Sequence, residues 1–132
     1  MKDYRVLVIG SGGREHAIAW SLAKDNKVEK IFCCPGNGGT QDIYKNIEIN
    51  IKDHDKVVDL IEDNFIDLTV IGPEDPLARG LVDHLQSKGL IVFGPTQYCS
   101  QLESSKLFAR KFMKKEGIPI LNFLSVQLGI RF

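Results

Sequence analysis

Within this 132-residue chain, the run Gly10-Ser11-Gly12-Gly13-Arg14-Glu15-His16 has the composition of a loop that holds a phosphate. Glycines let the backbone turn sharply and approach a ligand, and the unpaired N–H groups of a following helix can cradle an anion. The run only partly matches the dinucleotide-binding fingerprint, because Gly10 and Gly12 fit while Glu15 stands where the third glycine belongs. An acid that would bind a ribose hydroxyl is expected about 20 residues later. That stretch reads Phe32-Cys33-Cys34-Pro35-Gly36, which disfavours NAD. A glycine turn that simply joins strand to helix is the plainer alternative. Glu15 could cap the first helical turn, and a wheel projection places it near Ile18 and Leu22, with His16 and Trp20 towards the other side. His16 is given no proton-transfer role, and Trp20 reads as a packing residue.

Two more polar loops invite a ligand. Residues 35–40 (PGNGGT) and 72–76 (GPEDP) each follow an apolar run, and their amide, hydroxyl and carboxylate groups suit a sugar phosphate bearing hydroxyls and an amine. Either loop alone could be ordinary turn chemistry. Ligands of open parallel sheets bind outside the carboxyl ends of the strands, so joint placement of the three loops would line one crevice. The candidate binding residues are therefore Gly10, Ser11, Gly12, Gly13, Arg14, Glu15, Asn37, Gly72, Pro73 and Glu74; none is assigned to catalysis or to a metal.

The elements that must position these loops follow from periodicity. Apolar runs at 6–9, 28–34, 47–51, 68–71 and 91–93 predict strands, all without alternation and so covered on both faces. They read as central strands. Helical segments alternate with them, which predicts an α/β fold with a mainly parallel sheet. The segment 54–65 is the clearest helix, with Asp53 as its cap and Val57, Val58, Leu60, Ile61 and Phe65 on one side. Further helices are predicted at 14–24, from an Asp75 cap with Pro76 in the first position to Gly89, and at 105–116 before Gly117 and Pro119. Residues 122–126 read as a strand, followed by an apolar end that looks truncated.

The bulk properties narrow the function. Seventeen basic residues balance seventeen acidic ones with no dense basic cluster, which argues against nucleic acid as a partner. The apolar run near Met1 is too short for a signal peptide or membrane span, so a soluble, cytoplasmic protein is expected. Adjacent Cys33 and Cys34 in a strand point to opposite faces and cannot share a metal or bridge; buried free thiols are expected.

The blocks VLVIGSGGREHAIAW at 6–20, CPGNGGT at 34–40, LTVIGPEDPLARGLVD at 68–83, FGPT at 93–96 and QLESSKLFARKFMKKEGIP at 101–119 together resemble the N-terminal domain of phosphoribosylamine-glycine ligase, also called glycinamide ribonucleotide synthetase. The wording of QLESSK also resembles the animal trifunctional purine-biosynthesis enzyme. The resemblance implies a Rossmann-like, pre-ATP-grasp domain over 1–103 and the start of a truncated ATP-grasp region over 104–132. It implies that Gly10 to Gly13 hold the phosphate of 5-phosphoribosylamine and that Asn37 and Glu74 contact the ribose or amine. In the full-length enzyme, ATP with Mg2+ or Mn2+ would activate glycine as glycyl phosphate for attack by the phosphoribosylamine nitrogen. ATP and glycine would be handled by the missing domain, leaving this fragment without a cofactor and inactive alone. Lys106 and Arg110 then read as surface or hinge residues. A stand-alone dinucleotide-binding module and a non-catalytic interaction fragment are the competing readings.

Overall fold

The computed structural model describes residues 3–122. Five parallel strands form one sheet in the order β3-β2-β1-β4-β5: β1 Tyr4–Gly10, β2 Val28–Pro35, β3 Lys45–Asn46, β4 Leu68–Ile71 and β5 Val92–Phe93. The chain runs from β1 outward to β3, then returns across β1 to build β4 and β5. The order therefore reverses between β1 and β4, where a crevice opens at the strand ends. Register is set by buried residues, with Ile9 opposite both Cys34 and Ile71.

Alternate residues of the central strands feed two cores, as the two-residue period requires. Leu7, Ile9, Phe32, Cys34 and Ile71 pack on one face with Val57, Val58, Leu60 and Ile61 of α3 (His54–Asp63) and Leu81, Val82 and Leu85 of α5 (Leu81–Ser87). Val6, Val8, Ile31, Cys33 and Val70 pack on the other with Ala19, Ile18 and Leu22 of α1 (Gly13–Leu22). The expected α/β class, two covered faces and opposed cysteines are all present. Burial raises the Cys33 thiol and pushes that of Cys34 up to about 11, so both stay protonated hydrophobes.

Several expected elements are corrected. The third strand occupies Lys45–Asn46, not 47–51; the Ile47 amide still donates to the Cys33 carbonyl at 2.8 Å, and Ile47, Ile49 and Ile51 are partly buried against the first core outside any strand. The strands expected at 47–51 and 91–93 are not central: β3 and β5 are two-residue edges. β5 leaves Ile91 and Phe93 exposed at 69% and 71%. Phe65 was placed on the buried side of α3, yet it lies past the helix end with φ of 52° and is 75% exposed.

The helix expected from Asp75 to Gly89 is two. α4 (Glu74–Ala78) starts two residues earlier with Pro73 as N-cap, so Asp75 and Pro76 lie inside its first turn. Gly80, at φ of 81°, breaks it from α5. A helix was not expected at α6 (Gln97–Ser104), because QYCSQLES lacks an apolar stripe and buries only Ser100. Thr96 caps it, and Ser105 caps α7 (Lys106–Lys115), where a helix was expected. Lys106 and Arg110 lie exposed on α7. Of the strand expected at 122–126, Asn122 is in no element and the rest lies outside the described residues.

Candidate functional site

The three loops do converge. β1 ends at Gly10, whose φ of 135° turns the chain into Ser11 and Gly12 before α1 begins. The Gly36 amide donates to the Gly10 carbonyl and the Gly72 amide to the Ile9 carbonyl, each at 3.1 Å, so the ladder holds the loop bases side by side. α2 (Gly38–Gln41), a single short turn that overlaps the expected loop 35–40, follows β2.

Asn37 ties the second loop to the first. Its Nδ2 donates to the Ser11 carbonyl at 2.9 Å and lies 3.3 Å from that of Gly12. Its Oδ1 accepts from the Gly39 and Thr40 amides at 2.8 and 3.1 Å, capping α2. Behind it, the Thr40 hydroxyl, 1% exposed, accepts from the Asn37 amide and reaches Asn46 Oδ1, each at 2.8 Å. Asn37 thus spends both ends of its amide on backbone. Arg14 ties the first loop to the third, its Nη1 donating to the Gly72 carbonyl at 3.0 Å. Glu15 is 6% exposed and its Oε2 accepts from the Gly12 amide at 2.7 Å. This is the capping role considered for it, on the same face as Ile18 and Leu22. His16, on the other side, lies against Gly39. Trp20, read as a packing residue, lies on the surface at 54% exposure, with Lys24 Nζ 3.1 Å from its ring centre.

A cavity of about 630 Å³ opens over this junction. The whole run Gly10, Ser11, Gly12, Gly13, Arg14 and Glu15 lines it, with Pro73 from the third loop. Gly72, Asn37 and Glu74 do not; Glu74 sits at the exposed start of α4. Pro35, Ile51, Asp75 and Pro76 complete the wall and were not among the candidates. Asp75 was read as a cap, although its place in GPEDP already put it beside the loop. Arg79 Nε donates to its carboxylate at 2.8 Å, which holds the Asp75 carboxyl below its usual range. Ile51 had no local signal, since only the path after β3 brings it there. Another concavity, about 590 Å³, lies against the first half of β2, away from these loops.

Chemically, the cavity offers the start of α1. The amides of Gly13, Arg14 and Glu15 precede the first possible intrahelical bond, and the helix end adds partial positive charge. That suits a small anion. Among the described residues no cluster of three or more His, Cys, Asp or Glu could hold a metal, and no helix is long and apolar enough to cross a membrane.

Fold and site together define a Rossmann-like α/β domain with a crevice at the reversal of its strand order. Residues 4–103 match the family described as phosphoribosylglycinamide synthetase, N domain, and the chain belongs to that family. It is 47% identical to phosphoribosylamine-glycine ligase of Clostridium acetobutylicum, over 90% of this chain and 29% of that protein. Identity to the Neisseria meningitidis serogroup B ligase is 50%, over 90% and 28%. The crystal structure of the Thermotoga maritima ligase superposes with a TM-score of 0.61 at 34% identity, covering 86% of this chain and 25% of that one. A biotin carboxylase domain of a single-chain bacterial carboxylase shares the fold, with a TM-score of 0.71 at 12% identity. The chain thus spans less than a third of the ligases it matches.

Proposed function

We propose that this chain is the phosphosugar-binding N-terminal part of a phosphoribosylamine-glycine ligase of purine biosynthesis, and that its cavity receives 5-phosphoribosylamine. The observation that carries the reading is the run 10–15, lining a cavity at the strand-order reversal with first-turn amides free to meet a phosphate. The amides of Gly13, Arg14 and Glu15 supply the backbone donors. Asp75, in the same wall, is suited to a ribose hydroxyl or the amine, with Glu74 beside it at the rim. Asn37 and Arg14 hold the loops at working distance.

In this reading residues 1–103 form the substrate domain, and 104–132 lead towards a region that binds ATP, Mg2+ or Mn2+, and glycine. No described residue is assigned to ATP or metal. The wording at 101–106 supports a trifunctional parent chain, and the enzyme class supports a cytoplasmic setting.

Ribose 5-phosphate is a stable probe, titrated into the 132-residue chain by calorimetry. Binding is expected, and it should vanish in Gly12→Val, whose added carbon atoms would meet Glu15 Oε2 and intrude on the loop. Unchanged affinity in that variant overturns the assignment. With ATP, glycine and freshly generated phosphoribosylamine, this polypeptide alone is expected to give no glycinamide ribonucleotide; product formation would refute that.

A further inference from the structure

Glu15 is buried at the centre of the loop junction, and its surroundings explain three glycines at once. Gly10 closes β1 and Gly72 follows β4, so their backbones lie on neighbouring strand ends. The Glu15 side chain is wedged between them: a Cβ at either glycine would overlap Glu15 Cγ and Cδ. A Cβ at Gly12 would stand 2.8 Å from Glu15 Oε2, the atom that accepts from the Gly12 amide. A buried carboxylate is costly unless hydrogen-bonded, and here one amide and the positive end of α1 compensate it. The side chain of Arg14 grips Gly72 from the solvent side.

We infer that Glu15 is a positioning residue, not a ligand contact: its side chain, wedged between Gly10 and Gly72 and bonded to the Gly12 amide, sets the spacing of the first and third loops. The inference rests on reading the cavity as a phosphosugar site. The Gly12 amide faces Glu15 and is withdrawn from the ligand, which leaves the phosphate to its neighbours. Gly12 and Gly72 are small because Glu15 fills the space, so they should tolerate substitution only when Glu15 is shortened; Gly10, at φ of 135°, is held to glycine by its backbone as well.

The test is a cycle of Glu15→Ala, Gly72→Ala and the double variant, read by ribose 5-phosphate affinity and by denaturant unfolding without ligand. Each single variant should weaken binding by about tenfold, and the double variant should bind no worse than Glu15→Ala, as coupled neighbours do. If Gly72→Ala fails to fold, rescue by Glu15→Ala supports the wedge equally. Glu15→Gln keeps the shape and the acceptor for the Gly12 amide, so its affinity should stay within about threefold of the parent. Additive losses, or a Gln variant as weak as the Ala variant, would overturn the inference. So would a Gly12 amide proton whose NMR shift moves strongly as ribose 5-phosphate saturates the protein. Should the parent chain not bind the probe, the functional reading falls, while the unfolding cycle still decides the role of Glu15.

Discussion

The sheet interior and the loop junction above it share β1, yet they respond to change for opposite reasons. Leu7 and Ile9 lie in a core of interchangeable apolar volume, where burial from water supplies most of the cohesion and direction matters little. One residue further, Gly10 begins a region held by Asn37, Arg14 and Glu15, each bonded to a particular backbone atom. Volume governs the first region and atom-by-atom pairing the second. The core should therefore lose stability in proportion to what is removed, whereas the junction should lose binding with little loss of fold.

Phe32→Ala tests the first half of that contrast and carries the largest expected effect. Phe32 is fully buried, so its truncation should cost about 3–5 kcal/mol in denaturant unfolding. Ile9→Val, a single methylene in the same core, should cost about 0.5–1.5 kcal/mol and leave ribose 5-phosphate affinity unchanged. A parallel fall in affinity would erase the distinction between the regions.

Asn37→Asp probes the junction. It keeps an acceptor for the Gly39 and Thr40 amides but loses the donor to Ser11 and Gly12, and it adds a negative charge near the loop. Affinity should fall by about tenfold, the equivalent of about 1.4 kcal/mol, while the unfolding midpoint barely moves. Equal losses of stability and binding would make Asn37 a fold residue like the core.

Thiol labelling sharpens the contrast without mutation. At neutral pH only exposed Cys99 should be alkylated in the native chain, and Cys33 and Cys34 only after unfolding. Mass spectrometry of the labelled protein reads this directly.

The smallest effect expected is a pH dependence at the back of the first core. Burial first, and then the neighbouring His84, lower the pKa of His54 below its ordinary 6.5. A depressed folded pKa means that the unfolded chain binds more protons, so stability is full above 6.5 and declines as pH falls through the folded value. Replacing His54 with Gln should flatten that decline in thermal unfolding between pH 7 and 5.

How far sequence alone reached follows the same divide. The buried strands and α3 announced themselves because burial on both faces, or on one stripe, leaves a periodic trace. The phosphate loop was visible because glycine types and their position after β1 carry the signal. What escaped depends on distant partners. Ile47 to Ile51 looked like a strand because partial burial against the core resembles strand burial in composition. α6 hid because it packs against α4 and α7 with few apolar residues. The tie from Asn37 to Ser11 and Gly12 was hidden too, since nothing local in residues 35–40 shows that its amide reaches the first loop.

The two-residue edges β3 and β5 bear on how copies of this chain would meet at high concentration. A sheet edge is a template for strand addition only over the length of its unpaired ladder. Here each edge presents two residues, so backbone pairing gives an incoming strand little to extend. Self-association along β5 would instead fall to the bare side chains of Ile91 and Phe93, so contact at this edge is governed by apolar surface and not by strand pairing.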